Sequence, residues 1–126
     1  MSAREVRLVF EQIVNVAAYA QTGKANWETV ATETVVAAQS LVARVHGLVH
    51  QHGLTWMAPH VSSDGQGAIS FEWWRGPRSL TLYAYADGVT ESLLAWGADM
   101  VSQMESQDNP SDEQICALWN RIMESD

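Results

Sequence analysis

The sequence predicts an α+β protein: two N-terminal helices, an antiparallel meander of three to four strands and a C-terminal helix, in one domain over residues 1–126. Three observations carry this. Capping boxes at Ser2–Glu5 and Ser111–Gln114 each stand before an apolar run of helical period. Residues 68–96 alternate apolar with polar or aromatic side chains, the period of a half-buried strand. Two turn sequences divide that stretch so that its apolar residues meet on one face.

The first helix buries Val6, Phe10, Ile13, Ala17 and Ala20, which recur at helical spacing, and Gly23 ends it. Asn26 is expected to cap a second helix starting at Trp27 and running toward Gly53, with Gly47 as an earlier stop. Val30, Ala37, Leu41, Val45 and Leu48 form one apolar stripe on it. Ala31, Val35, Ala38, Val42 and Val49 form a second beside the first. So wide an arc must be covered on more than one side, by a central position in the fold or by a second subunit.

Leu54 to Val61 reads as extended, because Pro59 bars both a helix and a central strand. Residues 62–67 carry turn chemistry. A four-residue loop, Arg75-Gly76-Pro77-Arg78, sets Trp74 opposite Ser79, which pairs Trp73 with Leu80, Phe71 with Leu82 and Ile69 with Ala84. Asp87-Gly88 reads as a two-residue type I′ turn, pairing Leu82 with Leu93 and Leu80 with Ala95. Gly97-Ala98 is a candidate start for a fourth strand, with Ala95 opposite Met100 and Leu94 opposite Val101; otherwise 99–106 is irregular. Ile115, Leu118, Trp119 and Ile122 make the inner stripe of the last helix.

In this register the second sheet face carries Trp74, Ser79 and Trp96 in one row and Glu72, Thr81 and Leu94 in the next. Ser70, Tyr83 and Ser92 follow, then Ala68, Tyr85 and Thr90. Glu72, Trp74, Tyr83, Tyr85 and Trp96 are therefore the candidate binding residues. Aromatic rings with one carboxylate and a few hydroxyls suit a protein interface. They also suit a small organic ligand, which needs apolar walls and polar anchors. Helices packed over this face would make it ordinary core margin.

Other chemistry is thin. His46 and His50 stand at i, i+4, a spacing that chelates transition metals, with His52 and His60 near in sequence. No third ligand is placed by sequence, and histidines near a helix C-terminus also complement its dipole. No metal or cofactor is expected. Cys116, the single cysteine, lies beside the apolar stripe of the last helix and reads as a structural thiol. Gly65-Gln66-Gly67 precedes a strand, not a helix, so it is no phosphate loop. Glu72 beside Trp74 has the setting of a general base in an aromatic pocket, or else it faces water or pairs with Arg75 or Arg78.

The chain has a net charge of −8. Lys24 is its sole lysine, and Arg121 is the sole base from residue 99 onward. Nucleic-acid backbones and anionic membranes are recognised by clustered Lys and Arg, so neither is an expected partner. The acidic C-terminal part is a solvated surface or an imitation of a polyanion. The N-terminal MSAREVRLVFEQIV has no continuous apolar run, so no signal peptide is expected, and cytoplasm is the simplest setting.

The run Pro59-His60-Val61-Ser62-Ser63-Asp64-Gly65, then Ile69-Ser70-Phe71-Glu72-Trp73, Leu80-Thr81-Leu82 and Tyr85-Ala86-Asp87-Gly88, resembles a pattern in small uncharacterised bacterial proteins of mobile or accessory genome regions. The resemblance covers residues 59–88. It implies the same α+β arrangement and carries over no catalytic residue. The functional expectation is a non-catalytic protein-interaction module, homodimeric or bound to another protein. The alternatives are a small-molecule binder or small enzyme using the aromatic face, and an acidic inhibitor that mimics a polyanion.

Overall fold

A computed structural model describes residues 3–20, 29–97 and 102–123. Its element order is α1 (Ala3–Ala20), α2 (Thr32–Gln51), β1 (His60–Ser63), β2 (Ile69–Arg75), β3 (Arg78–Ala84), β4 (Thr90–Ala95), β5 (Met104–Asp108) and α3 (Asp112–Met123). The five strands form one antiparallel sheet in the order β1-β2-β3-β4-β5. The fold is α+β, with more strands than the three to four expected.

The helices make one layer. α1 packs on β1 and α2, α2 on β2 and β3, and α3 on α2, β2 and β3. Val9, Ile13, Ala17 and Ala20 are the buried stripe of α1. In α2 the buried residues span Thr34, Ala38, Leu41, Val42, Val45, His46, Leu48 and Val49. The wide apolar arc is thus used by a central position between two helices and the sheet.

α2 begins at Thr32, later than the expected Trp27; Asn26 and Trp27, like Ser2 and Gly23, lie outside the described residues. Residues 29–31 are not helical, Ala31 is extended, and Val30 is buried from outside the helix rather than as part of a helical stripe. The β-branched Thr29 and Val30 disfavour a helical turn here. Gly47 does not stop the helix. The end comes at Gly53, whose φ of 67° is the left-handed cap conformation. Its N–H donates to the His50 carbonyl at 3.1 Å, and that of Leu54 to the Val49 carbonyl at 2.8 Å, the paired bonds of a Schellman motif.

The segment between α2 and β1 has no strand partner. Two indoles supply donors to its backbone instead: Trp73 Nε1 to the Met57 carbonyl at 2.8 Å and Trp119 Nε1 to the Thr55 carbonyl at 3.2 Å. Trp56 from the same segment stacks on Trp119, with centroids 5.8 Å apart. β1 then lies at the sheet edge, where Pro59 just before it costs no ladder bond. It includes Ser62 and Ser63, so the following turn is shorter than expected and centres on Asp64. The Asp64 carboxylate accepts from the N–H groups of Gln66 and Ala68 at 2.7 and 3.0 Å.

The β2–β3 register is the expected one, with Trp74 opposite Ser79, Trp73 opposite Leu80 and Phe71 opposite Leu82. It extends to Arg75–Arg78, leaving Gly76-Pro77 as the turn. The β3–β4 register is displaced by one residue. Leu82 faces Ser92 and Leu80 faces Leu94, in place of the expected Leu93 and Ala95. The turn explains this. The N–H of Gly88 donates to the Tyr85 carbonyl at 3.0 Å, and Tyr85 N–H to the Val89 carbonyl at 3.2 Å. Only Gly88 of the Asp87-Gly88 pair has positive φ, at 84°. This is a three-residue turn closed by a left-handed glycine, not a type I′ turn. One extra loop residue turns every β4 side chain to the other face.

β4 and β5 pair through Ala95–Met104 and Leu94–Glu105, not through Met100 and Val101, which lie outside the described residues. Asn109, in the left-handed region at φ 46°, ends β5 and ties back to Thr90. Its N–H donates to the Thr90 carbonyl at 2.8 Å, and its side-chain oxygen accepts from Thr90 N–H at 3.0 Å. The second capping box forms as expected. Ser111 N–H donates to Gln114 Oε1 at 2.8 Å, and Gln114 N–H to Ser111 Oγ at 3.2 Å. Ile115, Leu118, Trp119 and Ile122 of α3 are all buried. No described helix is long and apolar enough to cross a membrane.

Candidate functional site

All three helices pack against the sheet face that carries Ile69, Phe71, Trp73, Leu80, Leu82 and Leu94. The strand residues of the core lie on that face alone; on the opposite, open face Trp74 and Asp108 are exposed, Glu72, Tyr83 and Leu93 are half-buried, and the small Ser70 and Thr81 are buried. Cross-strand pairing arranges it in rows. Trp74, Ser79, Ala95 and Met104 form the first row. His60, Glu72, Thr81, Leu93 and Ser106 form the second. Ser62, Ser70, Tyr83, Glu91 and Asp108 form the third. Tyr85 stands beyond it, its ring centroid 6.4 Å from that of Tyr83 and nearly parallel to it.

Four of the five candidate residues therefore share this face: Glu72, Trp74, Tyr83 and Tyr85. Trp96 does not. Ala95, not Trp96, completes the Trp74 row, and the guanidinium of Arg121 from α3 lies 4.9 Å from the Trp96 ring centroid. Trp96 packs on the core from the helix side. The register shift is the cause: an odd displacement exchanges faces. For the same reason Leu94 and Ser92 leave the proposed face, and Leu93 and Glu91 join it.

Trp74 is the most exposed part of the aromatic set, at 62 % of its surface. Tyr85 Oη donates to Glu91 Oε1 at 3.3 Å. Burial pushes the Tyr85 phenol up to about 12, with the Glu91 charge and hydrogen bond adding to it. Tyr83 is pushed the same way by burial first, then by the charges of Glu91, Glu72 and Asp64. Both rings thus sit in a negative field. The Glu72 and Asp108 carboxylates make no hydrogen bond or ion pair with a described residue. No Lys or Arg occupies any of the three rows.

His46, His50 and Cys116 lie away from this face, on α2 and α3. His46 is 2 % exposed, and Glu5 of α1 accepts from its Nε2 at 3.0 Å. Its Nδ1 has no partner among the described residues, nor has the neighbouring Trp56 Nε1, whose ring meets His46 edge-on with centroids 4.8 Å apart. His50, the other member of the i, i+4 pair, is exposed. No cluster of three metal-ligating side chains occurs among the described residues. Burial, with the Asp112 charge, pushes the Cys116 thiol up, which disfavours a thiolate nucleophile.

A cleft of about 440 Å³ lies between α2 and the β3–β4 turn, lined by Val36, Leu41, Arg44, Asp87 and Thr90 among others. Its arginine is committed to structure. Arg44 Nε donates to Asp112 Oδ1 at 2.6 Å and Nη2 to the Pro110 carbonyl at 2.9 Å, tying α2 to the start of α3.

Sequence reasoning missed Glu91, Leu93, Met104 and Asp108 as members of the open face. The adjacent leucines Leu93-Leu94 hide the error, because either register buries one of them. No protein-family model, curated protein or solved structure matches the chain.

Proposed function

We propose that the protein is a non-catalytic interaction module that works through the open face of its sheet. The observation that carries this is Trp74, 62 % exposed at the head of a face that also holds Tyr83, Tyr85 and Leu93. Large aromatic side chains left on an open face cost hydration free energy unless a partner covers them. An open sheet face suits a macromolecule better than a small ligand, which needs a concave site. A second copy of the chain is one partner such a face admits. The proposal includes a cytoplasmic setting and the kind of small bacterial accessory protein whose strand-turn pattern residues 59–88 resemble.

The test is site-directed photo-crosslinking in the cells that naturally make the protein. A benzophenone amino acid replaces Trp74 in one variant and Leu8, exposed on α1, in another. Adducts of defined mass from the first and not the second support the module. Adducts of twice the chain mass identify a homodimer. No adduct at Trp74, or the same pattern from both positions, overturns it.

A further inference from the structure

We infer that the open face docks a cationic, extended peptide segment, its Arg or Lys side chains set between the carboxylates of Glu72, Glu91 and Asp108 and the rings of Trp74, Tyr83 and Tyr85. This rests on the reading of that face as an interaction surface and names the chemistry of the partner.

The register sets two acids together. Glu91 and Asp108 lie directly opposite each other on β4 and β5. Like charges in that position destabilise a sheet. No Lys or Arg shares their row to separate them. A guanidinium or ammonium from a partner relieves the repulsion, so the free protein holds a site that is better satisfied when occupied.

The chain's own arginines are directed elsewhere. Arg75 and Arg78 sit at the β2–β3 turn, next to Trp74, yet both reach to the helix side. Arg75 Nη1 approaches Met123 Sδ at 3.7 Å, and Arg78 Nη1 donates to the Arg121 carbonyl at 3.3 Å. Arg121 is held by Glu105 Oε1 at 3.0 Å and by the Trp96 ring. Among the described residues, the acids of the open face have no arginine or lysine beside them; His60, opposite Glu72, is the one basic side chain in the rows.

The mix of groups also selects a cation. Cations bind over Trp and Tyr rings, and arginine also stacks on them while bridging carboxylates. An extended segment presents same-side residues about 6.7 Å apart, which is the spacing between alternate residues along the strands of this face. A second copy docked face to face would instead bring Glu72, Glu91 and Asp108 near their own equivalents, which charge repulsion opposes.

The probe is a hexapeptide of alternating Arg and Thr, compared with the Glu–Thr peptide of equal length, each titrated into the full-length ¹⁵N-labelled protein. Expected are shifts of the Trp74 indole N–H and of the Thr81 and Leu93 amides with the arginine peptide alone. The affinity should fall on the order of tenfold between about 50 and about 300 mM salt. Glu91→Gln with Asp108→Asn should weaken binding by about fivefold while leaving the protein folded, since the pair they remove is repulsive. Equal response to both peptides, shifts confined to the helices, or no loss in the double variant overturns the inference. If crosslinking at Trp74 traps a partner while the arginine peptide fails, the interaction module stands and its cationic partner falls. If both fail, the open face has lost both readings.

Discussion

Leu82 lies opposite Ser92 across β3 and β4, and Ser92, at 1 % exposure, donates from Oγ to the Gln107 carbonyl at 3.4 Å. A buried serine stands where alternation alone favours a leucine. Its hydroxyl is satisfied by the next strand, so its burial costs little. That single pairing places Glu91 and Leu93 on the open face and sends Leu94 into the core. The candidate interaction surface depends on it.

The turn behind this pairing makes a sharp prediction. Gly88 has a φ of 84°, and a Cβ added there would meet nothing within 4 Å, so a side chain faces backbone strain rather than a clash. Gly88→Val should cost about 1–2 kcal/mol or more in urea unfolding. Ala86 is the first central residue of the three-residue turn, where proline is favoured, so Ala86→Pro should change stability by less than about 0.5 kcal/mol. Were the turn type I′, Ala86 would be a strand residue, and the proline would be as damaging as the valine.

Tyr85 and Glu91 give a pH prediction. The phenol of Tyr85 is raised from 10.0 to about 12, by burial first and by Glu91 second. A group whose pKa is higher folded than unfolded holds its proton more tightly in the native state. Its stabilisation is complete below pH 10 and is lost as pH climbs toward 12. Ultraviolet absorbance should show a late tyrosinate transition that Glu91→Gln moves earlier. An unmoved transition would mean that the Tyr85–Glu91 contact is absent in solution.

The capping box of α3 should be measurable by itself. Ser111→Ala removes the acceptor for the Gln114 N–H, and should cost about 1 kcal/mol. Gln114→Ala removes the reciprocal bond to Ser111 N–H. A double-mutant cycle should give the two changes together less than their sum, because each bond positions the other. Additive losses would show that the two bonds form independently.

The indole donors that hold the segment before β1 provide the last test. Trp73→Phe keeps most of the buried ring but leaves the Met57 carbonyl without the bond now at 2.8 Å. A loss of about 1–3 kcal/mol is expected, with faster amide exchange in residues 55–58. Trp119→Phe should act in the same way through Thr55. If exchange there is unchanged, the segment is held by packing rather than by these bonds.

Local chemistry made much of this fold legible. Ser111 and Gln114 announce α3, and Ile115, Leu118, Trp119 and Ile122 announce its buried side. The Arg75–Arg78 turn aligns strands whose apolar residues agree only in one register. Signals failed where two local solutions were equally good. Asp87-Gly88 serves a two-residue or a three-residue turn, and Leu93-Leu94 offers a leucine to either face. Polar MESQD carries no strand pattern, so nothing local places β5; it forms because β4 presents an edge to pair with.

Neighbours a few residues apart settle the capping box and buried stripe of α3 and the shared apolar face of β2 and β3. Tertiary structure decided which leucine of β4 is buried, where Trp96 points and which side of the sheet the helices cover. Those outcomes depend on packing between residues far apart in the chain. Residues 1–126 encode them only through the summed burial of the whole core, where a local turn choice is outweighed by what lies above and below it.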